Sequence, residues 1–363
     1  MPARVLIAGA GVAGLEAALA LRSLAADQVD VELLGAEHHF WYRPLSVTEP
    51  FELGEATRYE LPALAVAAGA RFTPGTLLGV EAQRHEATTT VGDIPYDVLV
   101  VAVGALPHSA VAGAVTFRGP ADREKLESLL DDIVSGRARR IVFAVPEGAV
   151  WPLPVYELAL LTAASASANR IEQVELTLAT PEAAPLQVFG DAASAAVRQL
   201  LEERGISLLC GASALEFRDG VLRLQPGHEL DADRVVAAPR LQGAWLQGLP
   251  QTRLGFIPID AYGRVDGCED VYAAGDVVDL PVKQGGVAAE LADVVATSIS
   301  ALVGAEVEAV PFEPVLRGLL LTGDPDRSLW LEPSGVLNVR ADQQGKIAGH
   351  YLAQFLTERT DRR

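Results

Sequence analysis

Three glycines, Gly9, Gly11 and Gly14, stand in the string GAGVAG between a short apolar run and an Ala/Leu-rich segment. That spacing suits a strand-to-helix turn shaped around a pyrophosphate. The first glycine makes the tight turn, the second lets the backbone approach the phosphates, and the third lets helix pack close on strand. The helix start, at Val12 and Ala13, then offers free N–H groups and the positive end of the helix dipole. Glu32 follows Gly14 by eighteen residues, where an acid can accept both ribose hydroxyls of an adenosine. Glycine turns of this kind also occur for purely structural reasons. Strand, fingerprint, helix, strand and acid in one register favour a nucleotide, and the acid favours FAD or NAD over NADP.

A second carboxylate decides between those two. The string VYAAGDVVD, Val271 to Asp279, is a strand ending in Gly275 and Asp276. A carboxylate at that tip can accept hydrogen bonds from the ribityl hydroxyls of a flavin. The following KQGGVAAELADVVATSI starts a helix at Gly285 and Gly286. Its positive end would face the pyrimidine side of the ring and stabilise negative charge there.

Val142 to Leu161 reads VFAVPEGAVWPLPVYELALL, the strand, loop and helix of another nucleotide turn. Its loop is filled instead of open. Pro146 and Pro152 lack backbone donors and fix φ, Trp151 takes the room a pyrophosphate needs, and only Gly148 is permissive. Pro154 suits the first turn of a helix, so the frame survives. A nicotinamide dinucleotide is expected to bind poorly or not at all here. The two cysteines, Cys210 and Cys268, lie far apart and in no CxxC spacing, so they read as small buried fillers and not as a disulfide framework or zinc signature. His38 and His39 are adjacent, and neighbours in extended chain point opposite ways, so no metal is expected.

These groups need elements to hold them. Arg4–Ala8 as strand, Leu15–Leu24 as helix and Val29–Leu34 as strand make one βαβ unit. The aromatic and proline-rich stretch 40–59 reads as loop and turn. Leu61–Ala68 looks helical, and Asp97–Ala105 is a buried strand ending in a glycine turn. From about Gly113 the alternation restarts. Helices are predicted over 122–134, 154–168 and 192–204, with strands over 140–145, 174–179 and 206–209, which argues a second parallel sheet. Asp219-Gly220 marks a hairpin turn. A helix from about Gly286 to Leu302 follows the Asp276 strand. The end of the chain has strand-like LRGLLLTG and SLWLEP and a helix around Lys346–Leu356, whose Ile347, Tyr351 and Phe355 form an apolar stripe suited to core or homodimer contact.

Composition sets the outer bounds. The chain has 363 residues, half of them apolar, which fits a globular protein of two or three domains. Lys and Arg number 29 against 48 Asp and Glu, a formal charge of -19, so nucleic acid and anionic lipid are poor partners. The apolar N-terminus runs directly into the glycine fingerprint and carries Glu16, unlike a signal peptide. No uninterrupted apolar run approaches the roughly 18 residues of a spanning helix. A cytoplasmic protein is expected, without membrane association.

GAGVAG with Glu32, VAVGA with Gly104 and Ala105, YAAGD with Asp276, and PVKQGGVAAE with Lys283 together resemble the FAD-dependent pyridine nucleotide-disulfide oxidoreductase superfamily. Within it they resemble the branch of type II NADH dehydrogenases, sulfide:quinone oxidoreductases and flavocytochrome c sulfide dehydrogenases. The likeness runs from the N-terminus to about Leu302. It implies an α/β fold of two Rossmann-like, three-layer domains, the second inserted in the first, plus a small C-terminal module. Residues 1–112 and 239–310 would form the FAD-binding domain, 113–238 the second domain with its degenerate loop, and 311–363 the module.

The resemblance implies FAD contacts at Gly9, Gly11, Val12, Ala13, Gly14 and Glu32, at Arg43, Pro44 and Val80, and at Gly104, Ala105, Gly275, Asp276, Lys283 and Gly285. Phe40, Trp41 and Tyr42 would wall the ring and Arg43 would contact a phosphate or ring oxygen; the other reading is a surface loop with its aromatics packed beneath it. Tyr42, Lys283 and Lys346 are the catalytic candidates, the lysines as cations beside the reduced ring. Sulfide-oxidising relatives carry redox cysteines, one near the loop at Val150–Tyr156, and this chain has none there. The implied activity is flavin-mediated electron transfer from a small-molecule donor to a quinone or similar acceptor, without a standard NAD(P)H site or redox-active disulfide. The other reading is a catalytically degenerate FAD-binding module for redox sensing or interaction.

Overall fold

The computed structural model describes residues 1–323, 329–332, 335–338 and 349–360. The chain opens with β1 (Ala3–Ala8), α1 (Val12–Ala25) and β2 (Val29–Gly35), followed by β3 (Ala70–Pro74) and β4 (Val98–Val101). It continues with β5 (Val115–Thr116), α2 (Arg123–Val134), β6 (Arg140–Ala144) and α3 (Leu153–Ala168). Then come β7 (Glu175–Thr180), α4 (Asp191–Glu203), β8 (Ile206–Cys210) and β9 (Arg234–Ala237). After β10 (Val271–Ala273) and α5 (Gly285–Leu302), β11 (Gly318–Leu320), β12 (Leu329–Glu332) and β13 (Gly335–Asn338) form an antiparallel sheet, and α6 (Leu352–Thr360) follows.

Two five-stranded parallel sheets organise the molecule, in the orders β10-β4-β1-β2-β3 and β5-β9-β6-β7-β8. Tyr272 pairs with Val100, so the chain leaves the first sheet at β4, builds the second, and returns to the first at β10. All four residues of β4 are buried, as a strand covered on both faces requires. In β6 the period-two alternation sorts the core. Ile141 and Phe143 join the helix-side cluster with Leu158 and Leu161, while Val142 and Ala144 join the other face with Leu222 and Leu224 of a three-stranded meander. Helices, sheet and meander are three layers. The meander's first turn is Asp219-Gly220, both at positive φ (53° and 80°), as the primed hairpin turn demands.

In the first unit α1 lies along α5. Alanines fill much of the buried side of α1, which lets two helices approach closely. α5 has the length and apolar composition of a membrane-spanning helix, but 67% of it is buried inside the fold.

Two expectations need correction. The stretch 40–59 is not all loop, because His39–Tyr42 pairs with Thr57–Glu60 as a ribbon. Phe40 and Tyr42 point inward, and Phe40 stacks on Tyr59 at 6.3 Å, a cross-strand pair that overrides the nearby prolines. The strand expected over Asp97–Ala105 stops at Val101. Gly104, at φ 75°, turns the chain so that Ala105–His108 pairs with Arg240–Gly243. The last described helix begins at Leu352. Glu16 of α1 accepts the backbone N–H groups of Tyr351 and Leu352, both at 2.7 Å, and so fixes that helix start from outside. Lys346 and Ile347 lie outside the described residues, whereas Tyr351 and Phe355 pack partly buried on the first core.

A candidate cofactor crevice and its adjoining chamber

The three fingerprint glycines are required for different reasons. A Cβ on Gly9 (φ 120°) would sit 2.1 Å from the Ala102 carbonyl oxygen, and one on Gly14 would sit 1.8 Å from that of Gly9. Backbone packing alone excludes a side chain at both. Gly11 has φ -84° and a Cβ there would meet nothing within 4 Å. The protein's own packing makes no demand for glycine at this position. The space opens on a cavity of about 800 Å³ that Gly9, Gly11, Val12 and Ala13 line. α1 begins at Val12 with no side-chain cap, so its opening N–H groups and dipole face that space unused.

The acid that faces the crevice is not Glu32. β2 runs on to Gly35, which leaves Glu32 in mid-strand beside Arg71. Its carboxylate accepts the Thr73 hydroxyl at 2.6 Å and lies 3.4 Å from Arg71 Nη2. It is absent from the cavity wall. Glu37, two residues past the end of β2, lines the cavity and has no hydrogen-bond partner among the described residues. Counting from the fingerprint fell short because the strand is longer than its apolar run.

Arg43, Pro44, Gly104, Ala105, Gly275, Asp276, Lys283 and Gly285 line the same cavity. Gly275 (φ 83°) lets the β10 turn come against α1, where its Cβ would be 3.0 Å from that of Ala13. Asp276 has no hydrogen-bond partner among the described residues. Burial pushes its carboxyl up, and Lys283 and Arg43 oppose that only in part. Lys283 is itself buried, 4% exposed. Its ammonium donates to the Val278 carbonyl and lies 3.9 Å above the Phe256 ring. Burial pushes it down to about 8 against the pull of Asp276 and Asp279. α5 starts at Gly285, but Gln284 Oε1 already accepts the Val287 N–H at 2.9 Å, so part of that helix end is capped. Tyr42 and Val80 are buried away from the cavity wall, Tyr42 in the ribbon and Val80 against the Gln247 backbone. Neither is placed to touch a ligand here.

The filled loop has a different neighbourhood from the one its sequence suggests. Trp151 packs edge-on against Phe189 at 5.9 Å, and Pro152 stands at the start of α3 without a side-chain cap. Glu182 follows β7 by two residues, as Glu37 follows β2. It already accepts the Tyr156 and Thr180 hydroxyls, each at 2.9 Å, and the Gln187 N–H at 3.1 Å. Burial, then Glu182, pushes the Tyr156 hydroxyl far above its ordinary range. Trp151, Leu153 and Pro154 line the same cavity as the fingerprint turn. Phe117, Leu241 and Leu319 line that cavity with them, and we call this apolar part of its lining the chamber. Glu157, one turn into α3, is buried at that wall and accepts the Leu321 N–H at 3.0 Å. Sequence reasoning missed this chamber, since its walls come from parts of the chain as distant as Phe117 and Leu319.

Cys210 ends β8 and Cys268 lies in the turn before β10, and neither lines the cavity. Burial pushes the Cys268 thiol up, away from a reactive thiolate. Among the described residues no three His, Cys, Asp or Glu side chains group as a metal site.

The fold resembles that of the sulfide:quinone oxidoreductase from the hyperthermophilic bacterium Aquifex aeolicus, with a TM-score of 0.85 and 17% identity over 98% of this chain and 90% of that one. It also resembles NDH2 from Plasmodium falciparum, solved in complex with NADH, with a TM-score of 0.73 and 11% identity over 99% and 94% of the two chains. Among curated proteins, none matches the sequence. The family model described as pyridine nucleotide-disulphide oxidoreductase matches residues 3–143 and 157–298. Between the two matched segments lies the proline-containing loop. With most of its length inside that match, the chain belongs to the pyridine nucleotide-disulphide oxidoreductase family and is an oxidoreductase.

Proposed function

We propose that the chain is an FAD-dependent oxidoreductase that moves electrons from a small-molecule donor to a quinone or similar apolar acceptor, with no NAD(P)H site in its second unit. The observation that carries the FAD assignment is Gly11, a glycine that only a ligand needs, at the uncapped start of α1. Asp276 supports it as a walled-in carboxylate without a protein donor. When bound, FAD would supply a redox centre for two electrons. The chain's residues hold and orient it. The α1 N-terminus receives the pyrophosphate, Glu37 accepts ribose hydroxyls, and Asp276 accepts from the ribityl chain. Arg43 and Lys283 place positive charge at the same end as Asp276, where negative charge on the ring is stabilised.

Closure of the second unit rests on Pro146, Pro152 and Trp151 together with a Glu182 already engaged from within. The chamber walls of Phe117, Trp151, Leu153 and Leu319 favour an uncharged apolar reactant. The likeness in fold to a sulfide:quinone oxidoreductase agrees with that class.

Anaerobic stopped-flow reduction of the flavin band tests the proposal. Bleaching by a donor from a screened panel, reversed by a soluble quinone analogue, is expected, with no fast phase at micromolar NADH. A fast NADH phase would refute closure of the second unit. Tight FAD retention without reduction by any donor would favour a non-catalytic FAD-binding module instead.

A further inference from the structure

The far side of α1 and α5 carries a feature the redox chemistry does not use. We infer that Glu16 and Asp293 form a carboxyl–carboxylate clamp that holds the segment 349–360 on those two helices and loosens as the pair loses its shared proton. Glu16 is 0% exposed and caps α6 from more than three hundred residues away, accepting the Tyr351 and Leu352 N–H groups at 2.7 Å each. The segment lies directly on the carboxylate, since a Cβ on Gly349 would stand 2.6 Å from Glu16 Oε2. Asp293 of α5 is a buried neighbour of Glu16, and its Oδ1 has no hydrogen-bond partner among the described residues.

Two carboxylates that meet away from water cannot both ionise cheaply. Burial pushes Glu16 up, and burial with Glu16 and Glu290 as neighbours pushes Asp293 up to about 8. At neutral pH the pair therefore keeps one proton, which lets Glu16 serve the two N–H groups and Asp293 at once. The other titratable groups here are Glu290 on α5, which accepts the Val315 N–H and faces Arg317, and His350 and Tyr351 on the segment. A protonated His350 favours ionised Glu16 and so works against the clamp's proton.

The sign follows from linkage. An acid raised in the docked form binds a proton that the released form gives up, so docking weakens as pH rises. The fall spans about pH 4, where a free carboxyl titrates, to about 8, by at most about tenfold per unit. Amide exchange read by mass spectrometry on the full chain as purified, at pH 5.5, 7.0 and 8.5 and corrected for intrinsic rates, tests this. Protection of the peptide spanning Tyr351 and Leu352 should fall at least tenfold across that range. It should stay level in Asp293→Asn, whose amide can donate to Glu16, and drop at every pH in Glu16→Gln. Level protection in the native chain, or a native slope in Asp293→Asn, would overturn the clamp.

Discussion

Gly11 separates what the fold requires from what a ligand requires. Replacing Gly14 by Ala drives a methyl into the Gly9 carbonyl at 1.8 Å, and a loss of about 3 kcal/mol or more of stability is expected from that overlap. The Cβ of Gly11→Val meets nothing within 4 Å, so its unfolding midpoint should stay within a few degrees of the parent, about 0.5 kcal/mol. The same variant should purify without the yellow chromophore, and an unchanged visible spectrum would remove the pyrophosphate from this turn. The two acids divide in the same way. Glu37→Ala should weaken FAD binding to the apoprotein about tenfold, the worth of a partly exposed charge-assisted hydrogen bond. Glu32→Ala should leave that constant alone and cost about 1 kcal/mol through lost contacts to Thr73 and Arg71. The glycines were legible in sequence because a turn is local. Glu37 was not, because where β2 ends depends on its pairing with β3 down to Gly35 and Pro74.

At the scale of elements, the loop between β6 and α3 shows how one frame serves two ends. Proline chemistry is local, so the closure proposed for the second unit is an expectation the sequence can form by itself; the family match covers residues on both sides of 144–156. The chamber that the loop walls is a tertiary product of Phe117, Trp151 and Leu319, and no spacing in the sequence announces it. The aromatic ribbon 39–42 escaped for a related reason, since its register is set by a strand that starts at Thr57. If the missing backbone donors at Pro146 and Pro152 close the second unit, trimming the side chain cannot reopen it. Trp151→Gly should therefore still show no fast reduction by micromolar NADH in stopped flow, while its rates with apolar donors or quinone analogues change severalfold. A fast NADH phase in that variant would assign the closure to the indole and not to the prolines.

Over the whole molecule, the restart of alternation near Gly113 and the late Asp276 strand made the split first unit legible, while the response of each unit to acid depended on contacts only the fold creates. The second unit is pinned by carboxylates that stay ionised. Burial pushes Asp122 up, but its bonds from the Arg118 N–H and guanidinium and from Lys125 outweigh this and bring it to about 2. The Arg139 and Arg140 N–H groups, with the Arg140 side chain, hold Asp233 at about 2 as well. Carboxyls depressed in the fold contribute stability that is complete above the unfolded value near 4 and is lost as pH falls toward about 2. The Glu16 and Asp293 pair of the first unit has the opposite sign, and its contribution declines as pH rises toward about 8. Acidification from pH 4 to 2 should therefore weaken the second unit first, visible as earlier loss of amide protection in α3 than in α1. Asp122→Asn should remove much of that acid sensitivity and cost about 1–3 kcal/mol at neutral pH, because its partners lose a charged acceptor. Simultaneous loss of both signals, unchanged in Asp122→Asn, would show that these carboxylates do not set the order.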